Sequence, residues 1–156
     1  MFHDNDIQYC WTRDIPSVQA QILVDNLKEQ YHILHVTRPN CPALHGVEAL
    51  PEMDKRTLML LPSVVQKRIL IDSCLQHAAA AFDVKSSVLW VGTSPKVFGY
   101  DLHKNFEPVV EPVKDQNTAG IDSFLFDYDF NGPEHEFPYP SADIFNLQDI
   151  FDSVNS

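Results

Sequence analysis

The sequence predicts an α/β protein with a Rossmann-like, mainly parallel sheet, flanking helices and an acidic, aromatic-rich C-terminal extension. Short apolar runs alternate with helical patterns over residues 1–105, which is typical of parallel strands joined by right-handed crossovers. Most of the net charge of -11 lies in the remaining residues. A chain of 156 residues is long enough for one domain with a real core.

The first strand and helix are predicted near the N-terminus. Residues 7–11 form a short apolar run, and the following helix is expected to begin at Asp14, with Pro16 in its first turn. Apolar residues then recur at i, i+3, i+4, i+7 and i+11, which defines one helix face: Ala20, Leu23, Val24, Leu27 and Tyr31. Residues 32–36 are strand-like, and residues 37–54, with three prolines and one glycine, predict a loop.

The second half of the alternation is centred on the run R-I-L-I-D-S-C-L-Q-H-A-A-A-A-F. Residues 55–68 are ambiguous, either a strand or a short helical run before Pro62 and a helical turn after it. Residues 69–72 predict a strand, and residues 73–82 predict a helix whose four alanines allow close packing on the sheet. Residues 86–92 predict another strand, which leads into a G-T-S-P turn.

The charge distribution predicts a boundary near residue 105. Residues 1–105 hold 11 acids and 10 bases, whereas residues 106–156 hold 11 acids and a single base, Lys114. We therefore expect a nucleotide-binding half-domain over 1–105 and an acidic extension over 106–156. The extension carries too many aromatic residues for simple disorder, so it is expected to pack on the domain or on a partner. Its charge disfavours nucleic acid and anionic lipid as partners.

The remaining composition predicts a cytoplasmic protein without a membrane span. No apolar run approaches the ~20 residues of a membrane helix. The N-terminus lacks the basic and apolar regions of a secretory signal. The three cysteines, Cys10, Cys41 and Cys74, are far apart and form no C-x-x-C pair, which favours a reducing compartment and predicts no metal site.

The residues that end the two central strands predict a phosphate site. Asp72 stands at the carboxyl end of a strand, where open parallel sheets bind ligands. Ser73 is a good N-cap, and the N–H groups of the helix that it begins suit an anion. His77 lies one turn later on the same face, and Gly92 and Thr93 offer further donors at the next strand end. The alternative is that Asp72 and Ser73 only cap the helix and that His77 is structural.

The segment I-D-S-C-L-Q-H-A-A-A-A-F-D-V-K-S-S-V-L-W-V-G-T-S-P resembles the donor-binding half of glycosyltransferase family 9, the heptosyltransferase-like enzymes of GT-B fold. That family carries Asp-Thr/Ser-Gly-x-x-His-x-x-Ala-Ala, then a strand, then Gly-x-Thr/Ser-x-Pro. The residues at matching places are Asp72, Ser73, His77, Ala80, Ala81, Gly92 and Pro95. The run Y-C-W-T-R-D-I-P-S is similar to the first strand-turn of the same half, and the resemblance covers residues 7–105.

The resemblance implies a protein that binds a nucleotide-diphosphate sugar donor for glycosyl transfer, without a cofactor or a metal. The residues that would bind this substrate are Thr12, Arg13, Asp72, Ser73, His77, Gly92 and Thr93. No catalytic residue is assigned, because the acceptor base would come from an acceptor-binding half for which this chain has no room. An acceptor-domain protein or a homo-oligomer is therefore an expected partner. The family has glycine where this chain has Cys74, and the larger side chain leaves less room for a phosphate to approach.

Several interpretations stay open at this point. The alternative to a transferase is a non-catalytic nucleotide-binding, sugar-binding or protein-interaction module derived from such an enzyme. Residues 127–132, D-Y-D-F-N-G, begin like a calcium loop but lack its later ligands, so they also fit an Asx-rich turn. Cys74, at a helix N-terminus, is a candidate for a thiol of depressed pKa. Residues 98–100 form either a lid over the site or ordinary packing.

Overall fold

Six short parallel strands form the centre of this computed structural model, which describes residues 2–3, 13, 15–37, 42–91, 93–110 and 144–156. One sheet has the order β1-β2-β3 and the other β4-β5-β6. The strands are β1 (Phe2–His3), β2 (Leu34–Val36), β3 (Glu48–Ala49), β4 (Ile69–Ile71), β5 (Ser87–Leu89) and β6 (Lys104–Phe106). Because β1 lies beside β4, the two sheets form one layer, which is called the sheet below. Its strand order is β3-β2-β1-β4-β5-β6, which is that of a Rossmann-like fold.

Five helices flank these strands in the described part of the chain. They are α1 (Ser17–Leu27), α2 (Lys55–Val64), α3 (Cys74–Ala81), α4 (Pro95–Phe98) and α5 (Leu147–Asn155). Four of them begin at a side chain that accepts a hydrogen bond from the first turn: Asp54, Ser73, Ser94 and Asn146. Such caps satisfy amide groups that have no partner inside the helix, so local sequence sets where these helices begin.

The sheet buries apolar side chains on both faces. Along β5 and its continuation the side chains alternate, since Val88 and Trp90 join one cluster while Leu89 and Val91 join the other. The first cluster includes Leu75 of α3. The second includes side chains of α1 and α5: Ala20, Leu23, Val24, Leu27, Ile150 and Val154. The predicted α/β class is therefore confirmed, with helices packed on both sides of parallel strands.

Most of the predicted elements are present, with changed boundaries. The predicted amphipathic helix is α1, but its predicted start at Asp14 is wrong. Pro16 occupies the N-cap position and not the first turn, and no side chain caps the helix. The ambiguous residues 55–68 contain α2, which Asp54 caps and which includes Pro62. The expected loop 37–54 contains the two-residue strand β3. The predicted strand at 7–11 and the predicted cap Asp14 lie outside the described residues, as does the calcium-like loop at 127–132.

The C-terminal residues 144–156 pack on the same sheet. Ile144, Phe145 and Ile150 belong to the cluster that contains the α1 side chains. Gln19 of α1, itself 1% exposed, donates a hydrogen bond to the Phe145 carbonyl and accepts one from its N–H. The division of the chain at residue 105 stays a prediction, and β6 spans that position.

Candidate functional site

The candidate site lies at the carboxyl edge of the sheet, where the strand order reverses between β1 and β4. The chain moves outward from β1 to β3 on one side and from β4 to β6 on the other. In folds of this topology, ligands bind at the carboxyl ends of the strands where the strand order reverses. Asp72 and Ser73 directly follow β4, one of the two strands at this reversal.

An ion pair between Arg13 and Asp72 lies at this edge. Nε of Arg13 is 3.5 Å from Oδ2 of Asp72. The aspartate side chain is 7% exposed, whereas the arginine side chain is 44% exposed. A guanidinium carries five N–H donors in a fixed fork, so the carboxylate can orient Arg13 while other donors remain open to solvent. The ion pair therefore places an exposed cation beside the carboxyl end of β4.

Ser73 begins α3 immediately beside this pair. Its Oγ accepts a hydrogen bond from the Leu75 N–H at 3.4 Å, and its carbonyl accepts one from the Gln76 N–H. The helix packs on the sheet through Leu75, Ala78 and Ala79, all of them buried. The expectation that four alanines pack is therefore only partly correct, because Ala81 is exposed. The first turn of α3 is held at the carboxyl edge by this packing.

His77 is held by neighbours that the sequence resemblance did not include. Its Nδ1 lies 2.9 Å from the Tyr100 hydroxyl, and the two rings meet edge to face with centroids 5.6 Å apart. The amide nitrogen of Gln76 donates to the Phe98 carbonyl at 3.1 Å. Residues 98–100 are thus packed against α3, which agrees with ordinary packing, the alternative to a lid over the site. No signal within the sequence pairs Tyr100 with His77, because 23 positions separate them.

Thr93 lies beyond the end of β5, the strand next to β4. The residue is 3% exposed, and its Oγ1 has no hydrogen-bond partner among the described residues. The next residue, Ser94, accepts a hydrogen bond from the Lys96 N–H and so caps α4. The structure thus pairs Arg13 with Asp72, and it places Ser73, His77 and Thr93 on elements at the same edge. Two further predicted site residues, Thr12 and Gly92, lie outside the described residues.

Cys74 does not have the activated thiol that its helix position predicts. The residue is exposed, yet desolvation raises the pKa of its thiol, and this effect exceeds the opposing one of hydrogen bonds to the backbone. A raised pKa leaves less thiolate at neutral pH. The prediction of a depressed pKa is therefore wrong.

His103 is a buried histidine that links the site to β6. Its Nε2 donates to the Gln76 carbonyl at 3.0 Å, and its ring meets Tyr100 edge to face. Burial lowers the pKa of this imidazole, and the positive charges of Arg68 and His77 lower it further, while the bond to Gln76 opposes them. At neutral pH, the folded protein consequently favours the neutral form of the His103 ring.

This burial predicts a pH-dependent stability. Because the pKa of His103 is lower in the folded chain, the unfolded chain binds more protons as the pH falls below about 6.5. The contribution of the neutral His103 imidazole to the free energy of unfolding should therefore be complete above that pH and should be lost progressively below it. Thermal unfolding between pH 7.5 and 5 is expected to show a smaller decrease for His103→Gln than for the parent chain. His45→Gln, which removes an exposed imidazole, is the control. An unchanged slope in His103→Gln would contradict the assignment.

Two further features are absent from the described residues. No group of three or more histidine, cysteine, aspartate or glutamate side chains lies close enough there to hold a metal ion. None of the helices there combines the length and the apolar character needed to cross a membrane.

The strand order and the position of the site define the class of structure. It is a Rossmann-like domain with polar side chains at the carboxyl edge, where the strand order reverses. No family model and no curated protein matches the chain. The fold is similar to that of the E. coli heptosyltransferase WaaC, whose structure contains ADP, with a TM-score of 0.53 and 18% sequence identity. The match covers 67% of this chain and 36% of that enzyme, so the chain spans about a third of its length. The likeness therefore concerns the fold of part of that heptosyltransferase.

Proposed function

We propose that this chain binds a nucleotide-diphosphate sugar at the carboxyl edge of its sheet, as the donor half of a glycosyltransferase-like protein. The observation that carries the proposal is the ion pair of Arg13 with the buried Asp72 beside the capped start of α3. This arrangement holds an exposed cation next to helix N–H groups, and both favour a phosphate group.

Two further observations support a diphosphate rather than a neutral ligand. The buried hydroxyl of Thr93 has no partner among the described residues, and a phosphate oxygen would supply one. The similar E. coli enzyme was solved with ADP, which is a nucleoside diphosphate. In this proposal Arg13 and the start of α3 offset the negative charge of the leaving diphosphate. The acceptor and its base come from another half or another chain.

A calorimetric titration of the whole chain with ADP-, GDP- and UDP-sugars tests this function. One nucleotide sugar is expected to bind saturably, and Arg13→Gln should weaken its binding roughly tenfold or more, because a charge-assisted hydrogen bond to phosphate is lost. His77→Ala is expected to weaken it less, since the Nδ1 of His77 already contacts Tyr100.

The control for this titration is Arg56→Gln, which removes an exposed arginine from α2. It should leave the affinity unchanged. If Arg56→Gln and Arg13→Gln weakened nucleotide-sugar binding equally, the change in net charge, and not a contact at the site, would explain the loss of affinity. The proposal would be contradicted if the parent chain bound none of the three nucleotide sugars.

A second candidate function is a non-catalytic binding module, and Cys74 favours it. This side chain stands at the first position of α3, where the resembling family has glycine, and it adds bulk where a phosphate would approach. Titration of the Cys74→Gly variant with the same nucleotide sugars distinguishes the two functions. If this variant binds a nucleotide sugar more tightly than the parent chain does, the Cys74 side chain narrows a donor site.

A further inference from the structure

A basic groove lies at the amino edge of β4, β5 and β6, opposite to the candidate donor site. It has a volume of about 610 Å³ and is lined by residues that precede or begin these three strands, together with Ser153, Val154 and Ser156 at the C-terminal end of α5. Four cationic side chains line it: Lys67, Arg68, Lys85 and Lys104. Asp101 is the acidic side chain among its described lining residues. This concentration of positive charge is notable in a chain whose net charge is -11.

The cations of the basic groove have no carboxylate partner among the described residues. The ion pairs found there join other side chains, namely Arg13 with Asp72, Lys28 with Asp25 and His32 with Glu48. Arg68 donates from Nε to the Lys85 carbonyl at 3.1 Å and from Nη1 to the Pro62 carbonyl at 2.9 Å. These neutral acceptors fix the guanidinium but leave its charge uncompensated, and a partly buried cation of this kind attracts an anion.

Two buried polar atoms of the lining residues also lack partners. Ser86 is 6% exposed and its Oγ has no hydrogen-bond partner among the described residues. His103 is 5% exposed, and its Nδ1 is likewise unpartnered there, since Nε2 makes the bond to Gln76. Because buried polar atoms are normally hydrogen-bonded, a ligand with phosphate oxygens and a hydroxyl group would complete both.

We infer that the basic groove binds a small phosphorylated molecule, at a site separate from the donor site. Its volume is within the range of about 300–1,000 Å³ that small-molecule sites occupy, and its concave shape suits a small molecule better than the flat surface of a bilayer. Nε and Nη1 of Arg68 donate to backbone carbonyls, so Nη2 is the nitrogen that remains for a phosphate oxygen. The three lysines add point charges around it. The inference does not depend on the proposed transferase function, because the two sites lie at opposite ends of the strands.

A titration of the Arg13→Gln chain with inorganic pyrophosphate tests the inference, since this background weakens the donor site. Saturable binding is expected, and it should weaken as salt is added. The further double substitution K85Q/K104Q should lower the affinity roughly tenfold or more, because two of the four charged contacts are lost. The matched control is K55Q/R56Q, which removes two exposed cations of α2 and should leave the affinity unchanged.

Three results would overturn the inference. The first is the absence of saturable pyrophosphate binding at low salt. The second is an equal loss of affinity in K85Q/K104Q and K55Q/R56Q, which would reflect net charge alone. The third is binding to vesicles of phosphatidylglycerol and phosphatidylcholine without binding to pyrophosphate, which would assign the groove to a membrane surface. Nucleotide-sugar binding by the parent chain is measured separately, so failure of either proposal is recognised by itself.

Discussion

Replacing Trp90 by alanine is expected to lower the free energy of unfolding by about 3–5 kcal/mol. The side chain is fully buried, and it packs in a cluster with Leu70, Leu75 and Val88 between the sheet and α3. Its indole N–H also donates to Oδ1 of Asn105 at 2.8 Å. The substitution therefore leaves both a large cavity and an amide oxygen without its donor. Urea denaturation followed by circular dichroism measures the change without relying on tryptophan fluorescence.

Two further variants separate the parts of this effect. Trp90→Phe retains much of the apolar volume but loses the hydrogen bond to Asn105, so its cost should be clearly smaller. It also keeps the test useful if Trp90→Ala does not fold. Val64→Ala, at a residue that is 73% exposed, should change the stability by less than about 0.5 kcal/mol. A loss below about 1 kcal/mol in Trp90→Ala would be incompatible with the observed burial.

Replacing Ile150 by alanine is expected to lower the free energy of unfolding by about 2–5 kcal/mol. Ile150 is fully buried in α5, in the cluster that also contains Leu23 and Val24 of α1. The effect should appear in the isolated chain, because the burial is against the chain's own sheet and helices. Urea denaturation by circular dichroism measures it under the same conditions.

The control for Ile150 is Gln148→Ala, on the exposed side of α5. It removes only a surface hydrogen bond to Asp152, so a loss of no more than about 0.5 kcal/mol is expected. If Ile150→Ala proved as mild as Gln148→Ala, α5 would not be part of the stable domain in solution. A role for this helix in docking a partner would then become the better explanation.

The two edges of the sheet differ in the chemistry that they offer. At the carboxyl edge, Arg13 is partly neutralised by Asp72, and helix N–H groups and hydroxyls supply the remaining donors. At the amino edge, the cations of the basic groove have no such carboxylate among the described residues. The first arrangement suits a ligand that must be oriented, and the second suits one held mainly by charge. Comparing pyrophosphate with nucleotide sugars in matched variants distinguishes them.

Local signals in the sequence are sufficient to predict several of the elements. The apolar run that ends at Asp72 and the cap at Ser73 predict β4 and α3 to within one residue at each end. The apolar segment 86–92 predicts β5, which ends three residues earlier than expected, at Leu89. Apolar periodicity likewise predicts α1. These signals are reliable because capping and amphipathic burial act over one or two turns. The same locality made Asp72, Ser73 and His77 recognisable as candidate site residues.

The contacts between residues that are distant in the sequence become visible in the folded chain. The strand β6 reads K-N-F and has no apolar run of its own, so its pairing with β5 defines it. Gln19 meets Phe145 across 126 positions, and His77 meets Tyr100 across 23. The basic groove likewise forms because parallel pairing brings the residues before three strands to one edge. Such contacts depend on chain topology, and no local pattern in the sequence encodes the partner of a side chain.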